Sequence, residues 1–286
     1  MVDFSVPLNL KSILDRGLKL PVSPVVFTKL TGLLNEPDAD TNKLVALIST
    51  EPVLSAQILR QVNSPFYALK RKITAVQQAV FQLGFSEVAS LVAALKAKEM
   101  LNGLGWSPFN EILWKHSVKT AEIAHVLGQW MKDPLSESFF TAGLLHDLGK
   151  VVLHQVDKNY AALSKNGAVT GMELVKLEQK SYGTDHARLG AELHQFWNLS
   201  PSIVKLVEGH HEPPNAKDSL YRPRCFFSLA NEIAYVNATD EDWLTKLQGE
   251  PRCMNLVSGT GLEAFDFDLL KPELQRRLER EDRFSQ

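Results

Sequence analysis

Residues 143–150 read GLLHDLGK, an apolar run that ends in an adjacent histidine and aspartate. Phe139, Phe140 and Leu144 precede the pair at helical spacing, so His146 and Asp147 close a helix whose apolar face is buried. An imidazole and a carboxylate near a buried face need hydrogen-bond partners or a cation. The stretch therefore predicts a helix end that brings a metal-competent pair into the protein interior.

Most of the chain outside this stretch also shows the periodicity of helices rather than strands. Few segments alternate with period two, and β-branched residues seldom cluster between turn signals. Leu44, Leu47 and Ile48 occupy one helical face, and Pro52 and Pro201 stand where helices begin. The sequence predicts an all-α fold in which an N-terminal helical subdomain packs on a helical bundle.

Two glycines, a serine and a proline punctuate residues 102–108, which read NGLGWSP. This segment divides the chain into an N-terminal helical subdomain, residues 1–105, and a second helical subdomain, residues 106–238. Residues 239–286 are more polar and end in a charged run. We expect them to form a solvated C-terminal tail.

The charge balance narrows the classes of partner. Lys and Arg total 31 and Asp and Glu total 33 in the 286 residues, so the formal charge is −2. This balance indicates neither nucleic acid nor an anionic membrane as a partner. Cys225 and Cys253 show no metal-knuckle spacing and are expected to be reduced. With no signal peptide and no membrane-length apolar run, we expect a cytoplasmic protein.

Several histidines lie on apolar helical stripes and should point inward. His116 follows Ile112 at i+4, His186 precedes Leu189, and His211 continues the stripe of Val204 and Val207. The candidate metal ligands are His116, His146, Asp147, His186, His210 and His211. Many inward imidazoles can be satisfied together around one cation or anion. The remaining histidines, His125, His154 and His194, are expected at the surface.

A cluster without metal would have the same sequence pattern. In that alternative His116 bonds a backbone carbonyl, His186 pairs with Asp147, and Asp147 accepts a hydrogen bond from Lys150. Spacing does not distinguish this hydrogen-bonded cluster from a metal site.

The chain resembles the HDOD family, bacterial signalling domains related to HD-type phosphohydrolases. The resemblance runs from about residue 20 to residue 238. Seven stretches carry it: LKLPVSPVV (18–26), LISTEPVLSAQILRQVNSPFY (47–67), ITAVQQAVFQLGFSEV (73–88), LWKHS (113–117), FFTAGLLHDLGK (139–150), YGTDHARLGAELHQFWNLSP (182–201) and EGHHEP (208–213). It implies that the second subdomain is an HD-like helical bundle.

The resemblance also implies roles for individual residues. His116 matches the family's first histidine, His146 and Asp147 the HD pair, and Lys150 a position that can contact phosphate. His186, His210 and His211 match further histidines of the subgroup that hydrolyses cyclic dinucleotides. Asn231 stands where a final aspartate is expected, and that subgroup's Gly-Tyr-Pro motif is missing after His211. A neutral amide is a weaker ligand for a divalent ion than a carboxylate.

HDOD domains are generally viewed as non-catalytic regulatory modules, and this implies an unidentified signalling protein as the partner. We therefore expect a non-enzymatic module whose core could keep an iron, zinc or manganese ion. One alternative is a metal-dependent phosphohydrolase in which Asp147 and Lys150 act in catalysis. Another is a sensor that binds a nucleotide without cleaving it.

The segment Asn63–Tyr67, NSPFY, ends a predicted helix. We interpret it as helix capping and core packing rather than as a binding site.

Overall fold

The computed structural model describes residues 7–17, 25–34, 36, 40–103, 107–133, 135–164, 169–212, 214–236 and 251–278. All regular elements in these ranges are helices, which confirms the all-α prediction. Residues 104–106 of the predicted boundary lie outside the described residues. So do residues 239–250 and 279–286 of the predicted tail, and Pro213.

The N-terminal part contains six α-helices and one short 3₁₀ turn at Pro65–Tyr67. The helices are α1 Leu10–Asp15, α2 Val25–Leu34, α3 Thr41–Ser49, α4 Pro52–Val62, α5 Val76–Leu83 and α6 Phe85–Gly103.

The remainder of the described chain contains ten further helices. They are α7 Pro108–Trp130, α8 Ser136–Leu145, α9 Leu148–Val156, α10 Tyr160–Leu163, α11 Gly171–Tyr182, α12 His186–Phe196, α13 Pro201–Glu208, α14 Tyr221–Val236, α15 Pro251–Thr260 and α16 Ala264–Leu278.

Helix starts follow the capping chemistry that the sequence carries. The Asp40 side chain accepts a hydrogen bond from the backbone N–H of Asn42 at 2.8 Å and caps α3. The Ser107 hydroxyl likewise accepts from the backbone N–H of Asn110 at 3.2 Å, and Pro108 follows as the first residue of α7. Each cap satisfies a backbone N–H that has no partner within its own helix.

Helix α7 is the central element of the bundle. It packs extensively against α8 and α14 and also contacts α16. Helix α12 lies against α9 and α13, and α6 joins α8 to the N-terminal helices α2–α5. One contiguous core of buried apolar side chains runs through both parts. The helices that carry the candidate ligands are therefore held by close packing.

The end of the chain differs from the prediction. Helix α16 buries Phe267, Leu270, Leu274 and Leu278, which recur every three or four residues and form one apolar face. Its Arg277 donates to the buried Glu122 carboxylate of α7 at 3.1 Å. The expectation of a solvated tail is therefore wrong for residues 251–278, because the charged residues cover only the outer face of an amphipathic helix.

Cys225 and Cys253 are both buried and carry free thiols. Among the described helices, none has the length and apolarity that a bilayer-spanning segment requires.

Candidate metal centre

The break between α8 and α9 presents the His–Asp pair. His146 is the last residue in helical conformation after α8, and Asp147 immediately precedes α9 with φ −97° and ψ 7°. Because one helix ends and the next begins between them, the two adjacent side chains point into the same space. Both side chains are almost completely buried.

Two glycines of the opening stretch let neighbouring backbones approach this point. A Cβ on Gly143 would lie 2.5 Å from the Cα of Ala121 in α7. A Cβ on Gly149 would lie 1.9 Å from the carbonyl oxygen of His186 in α12. Only a residue without a side chain fits at such separations. The glycines therefore bring α7, which carries His116, and α12, which carries His186, next to the His–Asp pair.

Asp147 lies at the centre of the cluster. Its Oδ1 is 3.4 Å from Nε2 of His186 and 3.8 Å from Nε2 of His210. Its Oδ2 is 3.3 Å from Nε2 of His146 and 3.9 Å from Nε2 of His116. One carboxylate thus faces four imidazoles that come from four segments of the chain.

His211 completes the cluster, with its Nε2 3.1 Å from Nε2 of His186. All six predicted ligands are therefore brought together. Their donor atoms form two groups, and within each group all donor atoms lie within 4.8 Å of one another. One group is Asp147, His186, His210 and His211, and the other is His116, His146 and Asp147. Asp147 belongs to both groups. Each group could hold a metal ion.

Backbone carbonyls set the protonation of two imidazoles. Nδ1 of His146 lies 2.8 Å from the carbonyl oxygen of Gly143, and Nδ1 of His210 lies 2.6 Å from that of Val207. A carbonyl oxygen only accepts hydrogen bonds, so each Nδ1 carries the proton. When such a ring is neutral, the lone pair of its Nε2 faces Asp147, which is the tautomer that metal ligation requires.

A buried carboxylate, Glu178 of α11, has the same function for His186. Its Oε2 accepts from Nδ1 of His186 at 2.7 Å and from the His186 backbone N–H at 2.9 Å. Its Oε1 accepts from the hydroxyl of Tyr160. The proton of His186 is thereby held on Nδ1. Its Nε2 accepts from the Nε2–H of His211 at 3.1 Å and lies 3.4 Å from Oδ1 of Asp147.

The donor atoms around Asp147 fit a cation. Within the described part of the chain, Nε2 of His146, Nε2 of His210, Nδ1 of His211 and Oδ1 of Asp147 have no hydrogen-bond partner. Burying a polar atom without a partner costs free energy, and the imidazole lone pairs also repel the negative charge of the carboxylate. A cation between them would remove both costs. Burial lowers the pKa of His210 and of His211 well below the ordinary value, so both rings are neutral and can ligate.

His116 has a different partner from the other ligands. Its Nε2 lies 2.9 Å from Oδ1 of Asn231, the residue predicted to replace an aspartate, and its ring stacks on Tyr235 with centroids 4.1 Å apart. Burial lowers the pKa of His116 to about 3, so its ring is neutral. An amide oxygen accepts hydrogen bonds, so Nε2 of the neutral His116 ring donates to Oδ1 of Asn231. This hydrogen bond gives His116 a partner even without a metal.

Lys150 pairs with the central carboxylate, with Nζ 2.7 Å from Oδ2 of Asp147. Burial alone would raise the pKa of Asp147, but His146 and the Lys150 ammonium outweigh burial and hold that pKa well below its ordinary value. Burial would likewise lower the pKa of Lys150, but the Asp147 carboxylate raises it. The two groups therefore form a buried ion pair inside the cluster.

The cavity beside this pair is small. It has a volume of about 40 Å³ and is lined by His116, Asp147, Lys150 and Tyr235 together with two hydroxyl residues and several apolar side chains. A water molecule needs about 10–15 Å³ measured in this way, so the cavity has room for an ion or a few waters.

Two residues at the centre, Glu178 and Tyr235, were not among the residues predicted from the sequence. Glu178 lies between Leu174 and Tyr182 at intervals of four on the buried face of α11. A carboxylate on an apolar stripe was the signal that could have identified it. Tyr235 follows Asn231 at i+4 on α14 and so faces the same cluster.

Two histidines expected at the surface are buried. His125 and His194 are 2 % and 0 % exposed. The prediction is wrong because α7 and α12 are covered by neighbouring helices on more than one side, so a residue off the main stripe is still enclosed. His154 is half-buried against Phe109, with ring centroids 4.8 Å apart. These three residues lie outside the two ligand groups.

Replacing Glu178 with glutamine should weaken metal binding about 10- to 100-fold, the usual cost of losing a carboxylate that orients a ligating histidine. The amide nitrogen cannot accept, so His186 or Tyr160 loses an acceptor. Competition with a chromogenic chelator measures the affinity. Glu173→Gln, an exposed position on the same helix, is the matched control and should leave affinity unchanged. Equal affinities in the two variants would contradict the assigned role of Glu178.

Comparisons with known proteins agree with this architecture. A family model for the HDOD domain matches residues 20–213, well over half of the chain. An uncharacterized protein of Treponema pallidum is 26% identical over 230 residues, which is 80% of this chain and 43% of that protein. The chain therefore spans less than half the length of this curated relative.

Solved structures show the same fold. An HDOD domain protein of unknown function from Geobacter sulfurreducens superimposes with a TM-score of 0.75 at 21% identity, covering 94% of this chain and 95% of that one. A Shewanella amazonensis protein, described provisionally as a phosphohydrolase, gives a TM-score of 0.69 at 22% identity, covering 96% and 97%. At these identities the likeness establishes the fold.

Proposed function

The chain belongs to the HDOD domain family, which is related to HD phosphohydrolases, and on that premise we propose that it is a regulatory module of signal transduction. In this proposal it contacts a partner protein through its surface. Its His–Asp centre holds a structural divalent metal ion, such as iron, zinc or manganese, and hydrolyses no substrate.

The observation that carries the proposal is the small volume of the cavity at the centre. Pockets that hold small-molecule ligands are typically about 300–1,000 Å³. Among the described residues, the cavity that reaches Asp147 and Lys150 measures about 40 Å³. Such a space admits an ion but no nucleotide. A cation bound where the lone pairs converge would join the α8–α9 junction to α12 and to the end of α13.

Asn231 supports the same proposal. Asp147 is the one carboxylate in the two ligand groups, and the Lys150 ammonium already balances its charge. Asn231 adds a neutral oxygen where an aspartate would add a second negative charge, and it hydrogen-bonds His116. A centre with so little negative charge is suited to binding one structural ion with moderate affinity rather than to holding metals for catalysis.

The test is elemental analysis and an activity panel on the purified protein. We expect a bound divalent metal, thermal stabilisation when the metal is added back after chelation, and no product from cyclic dinucleotides or nucleoside phosphates. Metal-dependent turnover that Asp147→Ala abolishes would overturn the proposal. Thermal stabilisation by a nucleotide without product would instead identify a nucleotide sensor and would also contradict the proposal.

A phosphohydrolase is the second candidate, and the sharing of Asp147 between two ligand groups favours it. A bound divalent metal would supply an activated water for attack on phosphorus. Lys150, beside Asp147, would stabilise the charge that develops on the phosphoryl oxygens. The provisional description of the Shewanella amazonensis structure is compatible with this candidate.

Restoring the missing carboxylate separates the two candidates. Asn231→Asp should raise metal affinity at least about tenfold, or 1.4 kcal/mol, because an anionic oxygen replaces a neutral one. If the centre is structural, the variant still yields no product in the activity panel. Asn198→Asp, at an exposed loop position, is the control and should leave affinity unchanged. Turnover gained by Asn231→Asp would show that the substrate can reach the centre.

A further inference from the structure

A groove of about 900 Å³ opens on the N-terminal helices, far larger than the cavity at the metal centre. The segment Tyr67–Ile73 forms one wall, and α5 forms the other with Gln78 and Phe81. We call it the basic groove, because its lining includes three exposed cations and no acidic residue: Lys70, Arg71 and Lys72.

The cations of the basic groove are available to a ligand. Among the described residues, Lys70, Arg71 and Lys72 take part in no salt bridge. Phe81, on the opposite wall, is 90% exposed and is the most exposed large apolar side chain that the structure describes. Aromatic and arginine side chains are enriched at protein interfaces relative to the rest of the surface, so Phe81 and Arg71 are suited to a recognition site.

The wall that carries these cations is held in place by Asn63. Its side-chain amide accepts from the Ile73 N–H at 2.8 Å and donates to the Ile73 carbonyl at 2.7 Å. The hydroxyl of Tyr67 donates to the Glu87 carboxylate of α6 at 2.7 Å. The two ends of the loop are therefore fixed, and a ligand would not have to order it on binding.

This geometry alters the interpretation of NSPFY. Asn63 does end α4, as expected for a capping residue, but its amide also spans the loop. The segment thus positions one wall of the basic groove as well as packing the helix end.

We propose that the basic groove is the partner-docking site and that it receives a short acidic segment of another protein with one apolar anchor. The proposal rests on the proposed function as a protein-contacting module. Carboxylates of the segment would meet Lys70, Arg71 and Lys72, and its apolar side chain would cover Phe81. Oε1 of the exposed Gln78 already accepts from the Thr74 backbone N–H at 3.1 Å. The side-chain NH₂ of Gln78 can donate to a backbone carbonyl of an extended peptide.

The charge of the whole chain favours a peptide over a nucleic acid. Polynucleotide binding depends on many phosphate contacts along an extended positive surface. Here the formal charge is −2, and the three cations form a local patch. A local patch is sufficient for an acidic peptide, whose negative charges lie within a few residues of one another.

The test uses fluorescein-labelled synthetic peptides rich in Asp and Glu, with the full chain as the receptor. One set of peptides carries a single Leu or Phe, and the other set is fully acidic. We expect saturable binding that weakens with added salt, because screening reduces the attraction between exposed charges. The charge-reversal variant Lys70→Glu/Arg71→Glu/Lys72→Glu should lower affinity by at least about tenfold. Phe81→Ser should lower the affinity for peptides with the apolar anchor and leave fully acidic peptides unchanged.

The matched control reverses three exposed lysines elsewhere, with Lys176→Glu, Lys180→Glu and Lys217→Glu. It changes the net charge equally and should retain binding. Equal losses in both triple variants, no peptide binding, or tighter binding of single-stranded oligothymidylate than of any peptide would overturn the docking site. Metal content and the activity panel, measured on the same variants, report on the proposed function independently, so the two failures can be told apart.

Discussion

Replacing Asp147 with alanine is expected to remove metal from the protein and to lower the free energy of unfolding by about 3–5 kcal/mol. Both effects come from the central position of one carboxylate. It belongs to both ligand groups, so neither group keeps an anionic donor after the change. It is also the partner of the buried Lys150 ammonium at 2.7 Å, which is left uncompensated. An unpaired buried charge is among the largest single costs in a protein core.

A double variant separates the two effects. Asp147→Ala/Lys150→Met removes the carboxylate together with the ammonium, so much of the lost stability should return while metal stays absent. Elemental analysis of the folded, gel-filtered protein measures metal, and urea unfolding followed by circular dichroism measures stability. Full metal occupancy in Asp147→Ala would show that the histidines alone hold the ion. It would refute the assignment of Asp147 as a shared ligand.

Helical periodicity predicted the inward direction of three of the converging histidines. His116, His186 and His211 each follow an apolar stripe, and in an all-α protein such a stripe faces the common core. The HD pair could be placed because a helix ends between His146 and Asp147. Six candidate ligands therefore reach one cluster. Whether an ion is bound there stays a prediction.

Sequence periodicity did not predict how far each helix is covered. His125 and His194 lie off the main stripes, yet neighbouring helices enclose them because α7 and α12 are central in the bundle. The apolar face of α16 was similarly hidden by the charged residues between Phe267 and Leu278. Burial of this kind depends on tertiary packing, which one helix's own pattern does not encode.

Glu178 was missed for a related reason. Glutamate on a helix is usually solvated, and nothing local to α11 shows that His186 will lie 2.7 Å away. Its function is visible only once α11 and α12 are packed together.

Replacing Gly149 with alanine is expected to lower the free energy of unfolding by about 3 kcal/mol or more, at the upper end of the cost of overpacking. In an open helix the same change would stabilise by up to about 1 kcal/mol, because alanine is the better helix former. Here the added Cβ would lie 1.9 Å from the carbonyl oxygen of His186 and 2.9 Å from the backbone nitrogen of Gly190. Both neighbours are backbone atoms, so rotation of a side chain cannot relieve the contact and α9 must move away from α12.

That movement carries a second consequence, because α12 supplies His186 and α9 follows Asp147 directly. Gly149→Ala should therefore weaken metal binding as well as lowering the Tm by several degrees in thermal unfolding. Gly32→Ala is the matched control: its Cβ would meet no atom within 4 Å, so it should be neutral or stabilising. If Gly149→Ala were as stable as Gly32→Ala, the close approach of the two helices at this glycine would be wrong, and with it the account of how the HD pair reaches His186.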